Sequence, residues 1–133
     1  MATITNFEDL AIWQTARKLS LRIFELTQSG PFSTDYRFRD QIKAAARSVM
    51  DNIAEGFERS SKLEFINFLS IAKGSAGEVR SQLHSALDQK YIEELLQNEL
   101  MEHYKILSSK IAAFISYLNQ SVIKGQKFAG RSK

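Results

Sequence analysis

Apolar residues recur along this chain at alternating spacings of four and three. Ile12, Ala16, Leu19, Ile23 and Leu26 form one such stripe. Ile42, Ala46, Val49 and Ile53 form a second. Phe65, Leu69, Ala72, Ala76, Val79, Leu83 and Ala86 form a third. Leu96, Leu100, Tyr104, Leu107, Ile111, Phe114 and Leu118 form a fourth. This spacing puts the apolar side chains on one face of a helix that packs against near-parallel neighbours. It predicts four helices, over about Phe7–Gln28, Thr34–Gly56, Ser61–Leu87 and Ile92–Ser121.

The punctuation between the stripes supports these limits. Asn6 is a candidate N-cap for the first helix, with Glu8 and Asp9 in its first turn. Ser29-Gly30-Pro31-Phe32-Ser33 is the clearest break, because glycine ends helices and proline cannot continue one. Gly56 reads as the stop of the second helix. Ser61 and Glu64 have the spacing of a capping box. Leu10, Trp13 and Phe24 widen the first apolar face. Ser70, Gly74, Gly77 and Ser81 make a stripe of small residues on the third helix. Each glycine there costs roughly 1 kcal/mol relative to alanine, so close packing against another backbone is expected, within the bundle or between copies, with a ligand groove as the alternative. Four amphipathic helices with short connections imply an all-α, antiparallel up-down-up-down four-helix bundle spanning residues 1–121.

The net charge of +3, from 18 basic and 15 acidic residues, is unevenly placed. Residues 122–133 hold Lys124, Lys127, Arg131 and Lys133 and no acid, which leaves a net −1 on the rest of the +3 chain. This stretch is expected to be a basic, disordered C-terminal tail. There is no cysteine, which excludes a disulfide framework, a thiolate metal site and a cysteine nucleophile. No stretch is long and apolar enough to span a membrane, and the first residues do not form a signal peptide. A cytoplasmic protein without membrane contact is the expectation.

Catalytic chemistry finds little support. A di-iron bundle needs Glu-x-x-His pairs, and neither His84 nor His103 has a glutamate three residues before it. No nucleophile elbow or phosphate-cradling glycine loop is present. The expectation is no enzyme, no metal and no cofactor. Two polar groupings stand out instead. Asn52, Glu55, Gly56 and Arg59 close the second helix, and Glu78 and Gln82 lie beside the third seam. Polar groups beside a packed seam usually fix helix register or satisfy a turn, and a ligand or partner site is the alternative. Arg39, Lys43 and Arg47 repeat every four residues along the second helix. Arg17 stands on the first. Such a stripe can track phosphates, or it can be a solvated face offset by Asp40 and Asp51.

The run Gln41-Ile42-Lys43-Ala44-Ala45-Ala46-Arg47-Ser48-Val49-Met50-Asp51-Asn52-Ile53-Ala54-Glu55-Gly56, followed by Arg59, resembles the signature of the 23S rRNA intervening-sequence proteins, also labelled the S23 ribosomal protein family. Glu64-Phe65-Ile66-Asn67-Phe68-Leu69 with Glu78, Gln82 and Leu83, and the opening Phe7-Glu8-Asp9-Leu10-Ala11-Ile12-Trp13-Gln14, agree with it. The resemblance implies a four-helix bundle that assembles as a homopentamer. It also implies similarity to the accessory protein of diversity-generating retroelements, and by that analogy binding of RNA or a nucleoprotein. Two positions depart from the family's habit: Ala44 follows Lys43 where a second basic residue is common, and Met50 stands where proline is common. The expected function is a non-enzymatic homo-oligomer that binds RNA through Arg17, Arg39, Lys43 and Arg47, with Lys124 and Lys127 adding affinity. The alternative is a protein–protein scaffold anchored by Trp13 and Phe24.

Overall fold

The computed structural model describes residues 3–131, and the side chains of residues 3–121. Every regular element among them is helical. A 3-10 turn over Phe7–Asp9 leads into α1 (Ala11–Leu26). The short α2 (Gly30–Thr34) precedes α3 (Tyr36–Glu58), α4 (Lys62–Asp88) and α5 (Glu94–Arg131). The four long helices form an antiparallel bundle in which α3 packs on α1 and α4, and α4 on α5. Cross-helix partners fix the direction: Gly56 meets Phe68 while Ser48 meets Ser75, so α3 and α4 run oppositely. Lys62 reaches Ser121 and Phe65 stacks on Phe114, so α4 and α5 do too. The α1–α5 side is looser, with a cleft of about 230 Å³ between Arg22, Leu26, Leu96 and Leu100.

The seams form the core. Ile23, Ile42, Ala46, Val49, Ile53, Leu69, Ala72, Leu83, Leu107 and Ile111 are all fully buried. Each large aliphatic removed from water this way favours folding by about 1.5–3 kcal/mol before chain entropy is charged against it. Tyr104 sits in the same seam with its whole side chain buried. Its hydroxyl, like that of Ser108 one turn on, meets no hydrogen-bond partner among the described residues. Burial pushes the Tyr104 hydroxyl above its ordinary titration range.

The helix ends differ from the sequence expectation in ways that have local causes. The first helix does not start at Phe7. Leu10 is extended and drops its side chain into the core, so a 3-10 turn precedes the true helix. Asn6 makes no side-chain cap bond. Phe7 instead packs edge-on against Trp13, 5.1 Å between ring centres. The Gly30-Pro31 break holds a five-residue helix, with Gly30 at φ +65° and proline in the first turn. That helix buries Phe32, which packs on Phe38 and Tyr91. Asp35 is the cap of α3: its carboxylate accepts from the Phe38 amide at 3.2 Å and from the Tyr91 hydroxyl at 2.9 Å.

Gly56 does not stop α3, which continues to Glu58. A methyl group at Gly56 would lie 2.6 Å from Phe68 Cβ, so this glycine permits the close approach of α3 and α4. Of the packing expected for the small stripe on α4, within the bundle or between copies, the single chain does not show the first. Ser70, Gly74 and Ser81 are exposed, and a methyl group at Gly74 or Gly77 would meet nothing within 4 Å. Ser61 caps α4 as expected, the Glu64 amide donating to Ser61 Oγ at 3.1 Å, but the Glu64 carboxylate meets the Ser61 hydroxyl at 3.3 Å rather than its amide, so the box is half formed. The α4–α5 linker is a Schellman turn. The Tyr91 amide reaches the Ala86 carbonyl and the Lys90 amide that of Leu87, with Lys90 at φ +62°. The fourth long helix, α5, runs past the expected end at Ser121 to Arg131, where a disordered tail was expected; the side chains of Lys124 and Lys127 lie outside those described.

Candidate functional site

Helix α3 separates the two polar groupings by helical phase. Its core seam is Ile42, Ala46, Val49 and Ile53. Going around the helix one way brings Gln41, Ser48, Asn52 and Glu55 beside α4. Going the other way brings Tyr36, Lys43 and Arg47 beside α1.

The α4 flank is a hydrogen-bonded seam. Ser48 and Ser75 share a hydrogen bond of 2.8 Å across the helices. The Asn52 amide donates to the Ser48 carbonyl at 2.8 Å and to its hydroxyl at 2.9 Å. Glu55 accepts from Arg59 at 2.9 Å, and Glu64 lies 3.9 Å from the same guanidinium. That guanidinium stacks over Phe68, the residue against which Gly56 closes. Gln82 reaches Glu78 at 3.5 Å. It also lines an open cleft of about 310 Å³ with Asp35, Gln41 and Gln89. Gly56 and Arg59 thus join α3 to α4 directly, while Asn52 anchors, from within α3, the Ser48 hydroxyl that reaches Ser75.

The α1 flank carries cations and rings. Lys43 is half-buried, with Nζ 5.2 Å from the centre of the Phe24 ring. Arg17 lies 5.6 Å from the Trp13 ring and Arg39 lies 4.9 Å from the Tyr36 ring. Arg17 and Arg47 are exposed and form no ion pair among the described residues. Arg39 is more constrained: it donates to the Ser33 carbonyl at 3.1 Å and to Asp40 at 3.2 Å. Sequence spacing had joined Arg39, Lys43 and Arg47 on one face. It could not show that Phe24 faces Lys43 from α1, because that depends on the α1–α3 register. Of the two proposed aromatic anchors, Trp13 is buried at 9% exposure, whereas Phe24 remains 42% exposed. A second exposed ring on this flank, Tyr36 at 64%, was missed. Its position seven residues, about two turns, before Lys43 was the available signal.

On the α1–α5 side, Arg22 pairs with Glu99 at 2.8 Å. The hydrogen bond from Arg22, and then its charge, hold the Glu99 carboxyl below its ordinary range. Among the described residues no three histidine or acidic side chains gather in a way that fits a metal ion. No helix there is long and apolar enough to cross a membrane.

No protein of curated function matches the chain. A solved structure from Bacteroides thetaiotaomicron, described as a protein of unknown function from the S23 ribosomal protein family, is similar in fold, with a TM-score of 0.72 and 20% identity. The similarity covers 79% of this chain and 95% of that one. The family described as 23S rRNA-intervening sequence protein matches residues 8–113. With the bundle, the Asn52–Arg59 seam and this match in agreement, the chain belongs to the 23S rRNA-intervening sequence protein family.

Proposed function

We propose that this chain is a non-enzymatic RNA-binding bundle that acts as a cytoplasmic homo-oligomer, with the five copies the family resemblance implies. The observation that carries the reading is the division of α3. The signature residues Gly56 and Arg59 are engaged against α4 and Asn52 is engaged with Ser48 inside α3, whereas Arg17, Lys43 and Arg47 stand on the other flank, none of them with an ionic partner among the described residues. Cations left without partners on one flank make a field that a polyanion neutralises, with release of its counterions.

Oligomerisation has separate support. Leu63, Ile71, Leu95, Ile106 and Tyr117 are exposed on α4 and α5, away from the basic flank. Copies that pack through those faces leave the α1–α3 flank clear and repeat it around the assembly. Filter binding of structured RNA across a salt series tests the function. Affinity should fall steeply as salt rises; no binding at low salt, or binding flat with salt, overturns it. Light scattering should return a multiple of the 15.1 kDa chain mass.

A further inference from the structure

The α1–α3 flank carries exposed rings as well as charge, and phosphate binding alone does not call for rings. Phe24 and Tyr36 keep 42% and 64% of their surface in solvent. Each has a cation over it: Lys43 Nζ at 5.2 Å from Phe24, and the Arg39 guanidinium at 4.9 Å from Tyr36. Tyr36 precedes Lys43 by seven residues of α3, about 10 Å along the axis. On α1, Arg17 and Phe24 are separated by the same number of residues, again about 10 Å. On the outer face of α1 beside Arg17, a shallow depression of about 500 Å³ is lined by Gln14, Lys18 and Leu21, and Leu21 is 58% exposed. The flank therefore alternates apolar surface and cation over about 20 Å of helix. Asp40 is the acid beside Tyr36 on this stretch, and Arg39 holds it at 3.2 Å.

This alternation distinguishes between forms of RNA. In a duplex the bases are stacked on one another, and the deep major groove of A-form RNA excludes a helix, so exposed rings find no partner. In a single strand each unstacked base has a π-face for a ring, while the phosphates alternate with the bases and meet the cations. A cation fixed over one face of a ring orients it and leaves the rest of its surface to a base. We infer that the flank formed by Phe24, Tyr36, Arg17, Lys43 and Arg47 binds unpaired RNA, with Phe24 and Tyr36 as stacking platforms. This rests on the RNA-binding reading above and narrows its substrate class to single strands, loops and ends.

Fluorescence anisotropy with the full-length protein tests it. The probes are a labelled mixed-sequence RNA of about ten nucleotides and the same strand in a blunt duplex, each titrated at low and moderate salt. The Phe24→Ala/Tyr36→Ala double variant should bind the single strand about 5- to 100-fold more weakly per ring that stacks, with an unchanged salt slope. Duplex affinity should move by less than about twofold, because phosphate contacts remain. Phe24→Trp/Tyr36→Trp should retain single-strand affinity. Circular dichroism checks folding; if the double variant unfolds, Tyr36→Ala alone serves, since its ring is mostly exposed. Equal losses on both RNAs, or no loss on the single strand, overturn the inference while RNA binding stands. Failure of the unaltered protein to bind either RNA at low salt removes both.

Discussion

The two flanks of α3 carry similar numbers of polar residues and use them in opposite ways. Toward α4, Ser48, Asn52 and Arg59 find partners within the protein, and Gly56 brings the helices together. Toward α1, Lys43 and Arg47 find rings or solvent rather than acids. Residues that satisfy one another stabilise a fold but have little left for a partner. The flank that lacks internal ionic partners is the one fitted to an external one.

Adding a methyl group at the tight contact should have the largest effect. Gly56→Ala would place Cβ 2.6 Å from Phe68 Cβ. Relieving that overlap should cost about 1–3 kcal/mol, read as a lower urea midpoint with an unchanged slope. Next comes Asn52→Ala, which removes both bonds to Ser48 and should cost about 1–2 kcal/mol. If it costs nothing, the α4 flank is not a stabilising seam. By contrast, Arg47→Glu on the other flank should change stability by less than about 0.5 kcal/mol, because its side chain is exposed and forms no ion pair among the described residues.

Acid provides a smaller test at the loose α1–α5 side. The carboxyl of Glu99 is held below its ordinary value of 4.5 by Arg22. A depressed folded pKa means that the pair's support is present above that value and is lost as pH falls through the folded one. The urea midpoint of the intact protein should therefore drop slightly more below pH 4 than that of Glu99→Gln. Identical acid profiles would show that this exposed pair adds nothing measurable.

The seams were legible because helical periodicity is a local property. All four seam residues proposed for α3 are fully buried, and so is the run from Leu69 to Ala86 on α4. The glycines were not legible. Gly56 near a helix end has the local signature of a stop, and only Phe68 from α4 reveals that it is a contact. Gly74 and Gly77 have the signature of a contact, yet face open space in the single chain. Asp35 was overlooked as a cap because Ser33, Thr34 and Asp35 are all cap-forming residues in sequence, and Tyr91 selects among them only in three dimensions. The cationic stripe on α3 followed from spacing. Its pairing with Phe24 required the α1–α3 register, which no local pattern encodes.

If the α1 flank of α3 meets RNA while its α4 flank maintains the fold, substitutions on the two flanks separate binding from stability. RNA affinity of Arg47→Glu and Asn52→Ala, measured side by side on folded protein at one salt concentration, tests this division most directly. Arg47→Glu should weaken binding severalfold and lower the salt slope by about one or more, while Asn52→Ala should bind as the unaltered protein does. Equal affinity for Arg47→Glu and the unaltered protein, or a loss confined to Asn52→Ala, would contradict it.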